Sequence, residues 1–589
     1  MSTVNLVTLD TDVLIIGGGL AGCMAAIKAA EKKDLQVTLV DKSNTIASGC
    51  AASGIDHLWA YIPPIHEKMG YSIEDMAEDH RIGMAGGFFR KDLFMLVAST
   101  IYERVLDLER FGINFRYEDS KAPGKFRIVP QFHSVPTSFN FDGKPLKTKL
   151  TQEAKRRGVK IINRLQMTDL ITTNGQISGA VGVGTRTGDV YSFRTKAAVL
   201  ASGRINRISK NPTGVDFNTR LPSPFSGDGA SMATRAGIST INAEFLSNRL
   251  LVPCANYSPN YGDPKNTVQP AARIIDEKGN VLVSRDYLYD WKKLGHEPLD
   301  VVQNRQKWLE DFKNWHIQKR SLPHRIANGE GPFYLDMSEA TDEERDYIRW
   351  SISNEAKGTQ FLRYFEGEEG LDLRENAQEY AGWGDRELTG FSGKGIWIDR
   401  ETETEIRNLF AGGDEVGGFP FQSAPGAIAM GWYAGNMAAR RAREENVLLP
   451  ASDNAAKVRR QLCHDILTRK QGFYWKEIEL YVQHIIDFYC GSVRGEGLLQ
   501  RGLERLEYAR QQGAFRADNP HELARALEVM SIIDNAELVF RSSIERKESR
   551  PSHGFFRSDY PEQDDKNFLA FLAIRKENEN FVTEKKPIA

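Results

Sequence analysis

Three glycines and one aspartate near the start of the chain have the types and spacing needed to bind a dinucleotide. Gly17, Gly19 and Gly22 form a G-x-G-x-x-G turn, and Asp41 follows about 20 residues later. In such a turn, Gly17 permits a tight bend, Gly19 lets the backbone approach a diphosphate, and Gly22 lets a helix pack closely on a strand. The helix start would face the negative charge, and Asp41 could accept hydrogen bonds from a ribose.

The elements around these residues fit that use. Residues 12–16 (DVLII) are typical of a short apolar strand, an alanine-rich helix follows the glycines, and a second strand (QVTLVD) ends in Asp41. A G-x-G-x-x-G turn alone is weak evidence, but here it lies in a complete βαβ unit. A glycine-rich turn that binds nothing is the alternative, and this context disfavours it.

Two later segments favour FAD over NAD. Residues 196–203 (KAAVLASG) predict a buried strand that ends in a small-residue turn. Residues 408–435 predict a strand, an acidic loop with Asp414, and a helix that begins near Ser423. Free N–H groups at that helix start suit the electron-rich end of a flavin, and Asp414 could accept from ribityl hydroxyls. The alternative is a further βα unit without a ligand.

Composition narrows the class of protein. The chain has 589 residues, 41% hydrophobic and 26% charged, with a net charge of −2, so we expect two to four domains and no nucleic-acid partner. No apolar run approaches the roughly 18 residues needed to cross a bilayer, and the first residues do not form a secretory signal, which favours the cytoplasm. The five cysteines form no C-x-x-C pair, so we expect no metal site and an organic cofactor.

The pattern along the chain predicts three domains. Residues 1–235 and 366–450 would form a discontinuous FAD-binding domain. Residues 236–365, which are irregular and rich in Trp, Tyr and Pro, would form an inserted capping domain. Residues 451–589 would form a C-terminal helical domain, because apolar residues there recur at helical spacing after an Asn519-Pro520 helix start.

Motifs spread over most of the chain resemble a known family, the flavoprotein subunits of succinate dehydrogenase, fumarate reductase and adenylylsulfate reductase. They are the Gly17–Asp41 unit, SGCAASG at 48–54, GDG at 227–229, GIW at 395–397, AGGD at 411–414, and the specific segment RKESRPSHGFFRSDYPEQDDKNF at 546–568. Among these relatives, the pattern is most similar to the adenylylsulfate reductase alpha subunit, which also has Ser-Gly at positions 48–49.

The resemblance implies an α/β fold, with a Rossmann-like FAD-binding domain, an inserted α+β capping domain and a C-terminal helical domain. It also implies two-electron (hydride) chemistry at flavin N5 beneath the cap. The small residues of SGCAASG would lie against the flavin. Relatives that bind flavin covalently use a histidine in this loop, but its position is Gly49 here, so we expect non-covalent FAD. The residues expected to hold it are Gly17, Gly19, Gly22, Asp41, Lys42, Ser48, Gly49, Cys50, Ser53, Gly54, Ser202, Gly203, Asp228, Gly413, Asp414, Ser423, Ala424, Ala427 and Ile428.

Three groups that the family uses on dicarboxylates are missing. Gly390 stands at the position of the histidine before GIW, and the loop GGFPFQS has neither arginine nor histidine. Arg273 is offset from the position of the family's arginine proton shuttle. Because two carboxylates need a cationic clamp and a proton donor, we do not expect fumarate or succinate as the substrate.

The remaining polar candidates for catalysis are Lys394, Arg249 and His57. Lys394 could donate a proton or pair with an anionic substrate, and the alternative is a solvated loop lysine. Arg249 matches an Asn-Arg pair of adenylylsulfate reductase. His57 is an acid–base candidate with a structural role as its alternative. Aromatic residues in the same segments suggest an apolar or planar substrate or, alternatively, core packing: Trp59, Tyr61, Phe391, Trp397, Phe419 and Phe421.

The sequence therefore predicts an FAD-dependent oxidoreductase that acts on an unidentified small molecule. It has no cluster motif of its own, so we expect electrons to pass to or from a separate ferredoxin-like iron–sulfur subunit. Two alternatives stay open. One is an electron-transfer flavoprotein module whose partner does the chemistry, and the other is an enzyme like adenylylsulfate reductase.

Overall fold

The architecture comes from a computed structural model of the full-length chain. The residues that the structure describes are 4–52, 54–117, 124–130, 135–210, 222–248, 273–283, 309–310, 313–314, 317–318, 321–322, 324–326, 328–342, 346, 375, 377–379, 386–387, 393–445, 447–450, 453–512, 514–578 and 580–588.

Helices and strands alternate in the first half of the described chain, and helices dominate after residue 420. The helices are α1 (Leu20–Ala29), α2 (Pro63–His66), α3 (Ile73–Gly83), α4 (Lys91–Arg110), α5 (Leu146–Arg156), α6 (Asp228–Arg235), α7 (Ser423–Glu444), α8 (Asp453–Thr468), α9 (Trp475–Tyr489), α10 (Glu496–Gln512), α11 (Pro520–Glu545) and α12 (Asp565–Phe568). The strands are β1 (Leu6–Ile16), β2 (Val37–Asp41), β3 (His57–Trp59), β4 (Ile128–Pro130), β5 (Pro136–Asn140), β6 (Lys160–Asn163), β7 (Leu165–Thr173), β8 (Gln176–Gly184), β9 (Val190–Leu200), β10 (Thr240–Ile241), β11 (Ser247–Asn248), β12 (Arg273–Asp276), β13 (Val281–Val283), β14 (Phe333–Asp336), β15 (Gln378–Glu379), β16 (Arg386–Glu387), β17 (Gly395–Ile396), β18 (Leu409–Ala411), β19 (Val493–Arg494), β20 (Phe556–Arg557), β21 (Phe571–Glu577) and β22 (Asn580–Lys586).

A seven-stranded sheet organises the fold. Its order is β6-β2-β1-β9-β8-β7, and β18 also pairs with β9. Strands β6, β2, β1, β9 and β18 pair with one another in parallel, whereas β8 pairs antiparallel with both β7 and β9. The last four residues of β1 are Val-Leu-Ile-Ile and are all buried, as expected for a parallel strand covered on both faces.

Two apolar cores lie on either side of this sheet. One joins the sheet to α1, α4 and α7, and α7 packs directly against α1. The other joins β7, β8 and β9 to the C-terminal helices α8 to α11. Helix α11 begins as expected, since the side chain of Asn519 accepts a hydrogen bond from the N–H of Glu522 at 3.0 Å.

Smaller sheets surround the central one. Strands β3, β5 and β4 form one sheet, β13, β12, β14 and β15 form another, and a third has the order β17-β10-β21-β22. This third sheet places the C-terminal hairpin, β21 and β22, beside two strands from much earlier in the chain. The predicted α/β class with a C-terminal helical region is confirmed. None of the described helices combines the length and the low polarity that a membrane crossing requires.

Candidate functional site

The carboxyl ends of four parallel strands converge on one edge of the central sheet. Strand β1 ends before Gly17, β2 ends in Asp41, β9 leads into Ser202, and β18 leads into Gly412. Two adjoining cavities open at this edge, with about 670 and 620 Å³ of empty space including the space open to solvent, and they share Gly17, Asp41, Ser48, Gly49, Ser202 and Phe225 in their walls. In open α/β sheets, ligands bind at this kind of edge.

The glycine turn after β1 brings α1 close to the first cavity. Gly17, Gly19 and Leu20 line it, whereas Gly22 lies behind the turn. A Cβ atom on Gly22 would lie only 1.7 Å from the carbonyl oxygen of Gly17, so the predicted close packing at this position is present. No side chain caps the start of α1, which leaves its first N–H groups available to an anion in the cavity.

Asp41 lines both cavities, but its oxygens also hold the surrounding loops. Oδ2 accepts from the N–H of Gly18 at 2.6 Å and from the hydroxyl of Ser48 at 2.5 Å, and Oδ1 accepts from the N–H of Ser43 at 2.6 Å. The ribose contact predicted for Asp41 would therefore add to an anchoring role that its position in the sequence did not reveal.

The small-residue loop packs on the glycine turn. Ser48, Gly49 and Cys50 line the first cavity. Gly49 has a φ of 85°, and a Cβ atom there would lie 2.9 Å from Cα of Gly19, so glycine is needed partly because two backbone segments meet. Ser53 lies outside the described residues, and Gly54 is not among the lining residues, although Ile55 is.

Asp414 has a buried carboxylate oxygen that can accept a further hydrogen bond. It lines the first cavity, and its Oδ2 pairs with Arg204, whose Nε lies 3.0 Å away. The thiol of Cys50 lies 3.6 Å from the same oxygen. The other oxygen, Oδ1, is buried and has no hydrogen-bond partner among the described residues. A buried carboxylate oxygen without a donor is costly, so a hydroxyl of a bound molecule would satisfy it.

The second cavity is bordered by a buried ionic network. Lys42 lines it together with Asp228, and their side chains pair at 2.7 Å. Lys42 also lies 3.1 Å from Glu528 on α11, which in turn pairs with Arg207 at 2.5 Å. These cations lower the pKa of the buried Glu528 below its usual range despite the opposing effect of burial. The predicted cofactor residues Lys42 and Asp228 are thus tied to the C-terminal helices.

The start of α7 closes the other side of the first cavity. Ser423, Ala424 and Ala427 line it, and no side chain caps this helix start. Gly413 packs against Ala21 instead of lining the cavity, where its neighbour Gly412 is found, and Ile428 is fully buried in the core.

Ser202 and Gly203 form the cavity wall after β9, and a residue that the sequence did not single out lies behind them. Glu415 accepts hydrogen bonds from the N–H of Ser202 at 2.7 Å and from its hydroxyl at 2.9 Å. Burial raises the pKa of Glu415 to about 7; the hydrogen bonds from Ser202 oppose this shift and the negative charge of Asp228 reinforces it. The sequence feature that could have identified Glu415 is its position beside Asp414 in the acidic loop.

The structure describes two of the three catalytic candidates, Lys394 and His57. Lys394 is 2% exposed, so the alternative of a solvated loop lysine is wrong. It lies in the turn before β17, where Ile396 donates to the carbonyl of Glu415 at 2.9 Å, next to the cavity loops. His57 lies on β3 with its Nδ1 2.5 Å from a carboxylate oxygen of Asp56. Arg249 is outside the described residues.

Three of the aromatic candidates, Trp59, Tyr61 and Phe419, are buried in the apolar core beside the site. Trp59 donates to the carbonyl of Phe421 at 2.8 Å and stacks on Phe94 with ring centroids 5.5 Å apart. Phe419 is fully buried and contacts the ring of His80. None of Trp59, Tyr61, Trp397, Phe419 and Phe421 lines the two cavities, which favours core packing for them, and Phe391 lies outside the described residues.

Comparisons with known proteins agree with this geometry. A family model described as FAD binding domain matches residues 12–426, and one described as Fumarate reductase flavoprotein C-term matches residues 479–589. The chain is 26% identical to a subunit of the CoM/CoB fumarate reductase of Methanothermobacter marburgensis, over 97% of this chain and 98% of that protein. It is 25% identical to the fumarate reductase flavoprotein subunit of Haemophilus influenzae, over 97% and 93% of the two chains.

Solved structures share the fold. Adenylylsulfate reductase from Archaeoglobus fulgidus superposes with a TM-score of 0.84 at 21% identity, covering 100% of this chain and 97% of that one. E. coli quinol fumarate reductase superposes with a TM-score of 0.78 at 19% identity, covering 99% and 97%.

Proposed function

This chain belongs to the family of flavoprotein subunits of succinate dehydrogenase, fumarate reductase and adenylylsulfate reductase, and from that premise we propose that it is the catalytic subunit of a redox complex. It is an FAD-dependent oxidoreductase. Its substrate, in this proposal, is a small molecule other than fumarate or succinate, and its electrons are exchanged with a ferredoxin-like iron–sulfur subunit.

The buried, unpartnered Oδ1 of Asp414 is the observation that carries the proposed cofactor site. The residues around it fit FAD, because two uncapped helix starts and a backbone-lined turn face the first cavity. FAD supplies two-electron (hydride) chemistry at its flavin N5 when bound. The first N–H groups of α1 would bind its diphosphate, and Asp414 would accept from its ribityl hydroxyls. Lys42, Asp228 and Asp41 would border its nucleotide end.

The walls of this site support non-covalent attachment of FAD. The lining residues of the two cavities include no histidine, and Gly49 offers no side chain for a bond. His57 is engaged with Asp56 on β3. In this proposal the small-residue loop only shapes the space for the flavin.

The described charges argue against a dicarboxylate substrate. Arg273 pairs with Asp336 and Glu339 at 2.5 Å each, so it is already committed on β12. Residues 393–445 contain no histidine, and the loop at 417–423 contains no arginine. A substrate under the proposed capping domain at 236–365 would instead meet Lys394 and Arg249, with Lys394 holding a proton at Nζ.

Support for a partner comes from the relatives. Both curated proteins described above are named as subunits, and they match this chain over nearly their full length. The chain itself has five dispersed cysteines and no C-x-x-C pair. A separate protein would then have to carry any iron–sulfur cluster.

Anaerobic purification from the native host tests this proposal. We expect FAD that is released by denaturation, and a small second chain that carries iron and acid-labile sulfide in stoichiometric amounts. Turnover should be absent with fumarate, with succinate, and with AMP plus sulfite. A lone flavoprotein without iron would contradict the partner, and rapid fumarate reduction would contradict the proposed substrate class.

A further inference from the structure

Glu415 is a buried carboxylate directly behind the wall of the proposed FAD site. It is 2% exposed, and its carboxylate is hydrogen-bonded to Ser202, which lines both cavities. A Cβ atom on Gly229 would lie 1.6 Å from Oε1 of Glu415, so α6 encloses it from the other side. The carboxylate is therefore separated from the cavities by one layer of backbone.

Among the described residues, the charged groups packed around Glu415 provide no counter-ion for it. Asp414 and Asp228 both line the cavities, and they pair with Arg204 and Lys42 respectively. Lys394 lies in the neighbouring turn before β17 and has interactions of its own.

Among the described residues, the groups that donate to Glu415 are the neutral N–H and hydroxyl groups of the Ser202–Gly203 turn, and no cation pairs with it. An ionised carboxylate in this position is destabilised by burial and by the negative charge of Asp228.

We propose that Glu415 is a redox-linked proton acceptor, which takes up one proton from solvent when FAD in the adjoining cavities is reduced by two electrons. This inference rests on the proposed FAD site. The two electrons come from an external low-potential donor, either the proposed iron–sulfur partner or dithionite in the experiment. They enter the cofactor, while one O–H bond forms on Glu415 and no bond forms between Glu415 and the cofactor. Charge added to a site of low dielectric constant favours the neutral form of a neighbouring carboxyl group.

The physical setting makes this exchange possible near neutral pH. Burial raises the pKa of Glu415 to about 7, so the oxidised protein holds the carboxylate above that pH and the carboxylic acid below it. Reduction should extend the protonated form to higher pH.

Potentiometric titration of the full-length, FAD-loaded protein tests the proposal without substrate or partner. We expect the midpoint potentials of the wild type and Glu415→Gln to differ by a constant amount below about pH 7. Above that pH the difference should change by about 30 mV per pH unit, the value for one proton per two electrons. Both proteins hold the same cofactor, so subtracting one midpoint potential from the other cancels the pH dependence that comes from protons bound by FAD. Glu444→Gln, at a half-exposed glutamate at the end of α7, should match the wild type. A difference that stays constant across this range would overturn the proposal.

A measurement on the wild type alone covers the case in which Glu415→Gln does not fold. The infrared difference spectrum between reduced and oxidised protein, recorded one pH unit above the Glu415 pKa of about 7, should gain a band of a protonated carboxyl group. Absence of that band in protein that holds FAD would reject Glu415 as the acceptor. Because neither measurement uses substrate or partner, failure here would leave the proposed substrate class and iron–sulfur partner standing.

Discussion

At the scale of single residues, the carboxylate of Asp414 is the predicted cofactor contact with the most direct structural support. Its position after an apolar strand and before a helix of small residues predicted a cofactor contact, and the structure leaves one of its oxygens buried without a partner among the described residues. Replacing Asp414 by alanine should weaken FAD binding by about 10- to 100-fold, because a hydrogen bond to a charged acceptor is lost. Isothermal titration with FAD measures this change.

A matched variant separates this effect from the loss of an ion pair. Asp34 also pairs with an arginine, Arg443 at 2.6 Å, but on the surface. Asp34→Ala should leave FAD affinity unchanged. Equal affinities for Asp414→Ala and wild type would show that Asp414 does not contact FAD.

Gly49 tests the small-residue loop. Gly49→Ala should destabilise the protein by about 1–3 kcal/mol beyond the cost at an open glycine of similar φ, since its Cβ atom would meet the backbone of Gly19. Gly175→Ala is the control, because that residue has a φ of 73° and nothing within 4 Å of a Cβ atom. Thermal unfolding of both variants measures the difference, and equal losses would mean that the contact with Gly19 is unimportant.

Residue identity alone did not reveal which side-chain atoms already form hydrogen bonds or ion pairs within the protein. Asp41 was expected to bind a ribose, and its loop-anchoring contacts depend on Ser43 and Ser48, whose positions follow only from the folded chain. Arg204 follows the Ser202-Gly203 turn, and the structure pairs it with Asp414. The pair of Arg204 and Asp414 joins residues 210 positions apart and leaves no local pattern.

At the scale of elements, local periodicity was sufficient for the strands and helices that build the site. Strands β1, β2, β9 and β18 were each predicted from short apolar runs that end in small or acidic residues. The C-terminal hairpin was missed, because its polar sequence resembles a loose tail. Its strand β21 is held by pairing with β10, which lies more than 300 residues earlier. Long-range pairing of this kind cannot be read from a local pattern.

A buried ionic cluster joins the central sheet to the C-terminal helices. Arg207 is 1% exposed and pairs with Glu479 on α9 and Glu528 on α11, both at 2.5 Å. Arg207→Met should destabilise the protein by about 3–5 kcal/mol, because two buried carboxylates lose a partner. Urea unfolding measures the loss.

The control for this cluster is an exposed pair on α10. Arg501 lies 3.2 Å from Glu504, and both side chains are well exposed. Arg501→Met should cost less than about 1 kcal/mol. A similar cost for the two variants would mean that the buried cluster does not hold the elements together.

At the scale of the whole molecule, carboxylates with shifted pKa values set the pH range of stability. The pKa of Glu528 is lowered by its cations, and hydrogen bonding to Arg557 lowers the pKa of Asp559 to about 2. Their stabilising contributions are present above the unfolded pKa values of about 4 and are lost as the pH falls further.

Glu415 affects stability at the upper end of the pH range. Its raised pKa means that its contribution is present below about pH 4 and is lost as the pH rises through about 7. The melting temperature of the FAD-free wild type should therefore fall between these values relative to that of Glu415→Gln. If the melting temperatures of the two proteins changed with pH in the same way across that range, the raised pKa of Glu415 would be contradicted.

The central claim is that FAD occupies the two joined cavities without a covalent bond. A crystal structure of the full-length protein with FAD tests it most directly. We predict the diphosphate at Gly17–Gly19 and the start of α1, a ribityl hydroxyl within hydrogen-bonding distance of Asp414 Oδ1, and no bond between the flavin and any side chain. FAD bound elsewhere, or joined covalently to a side chain, would contradict this account.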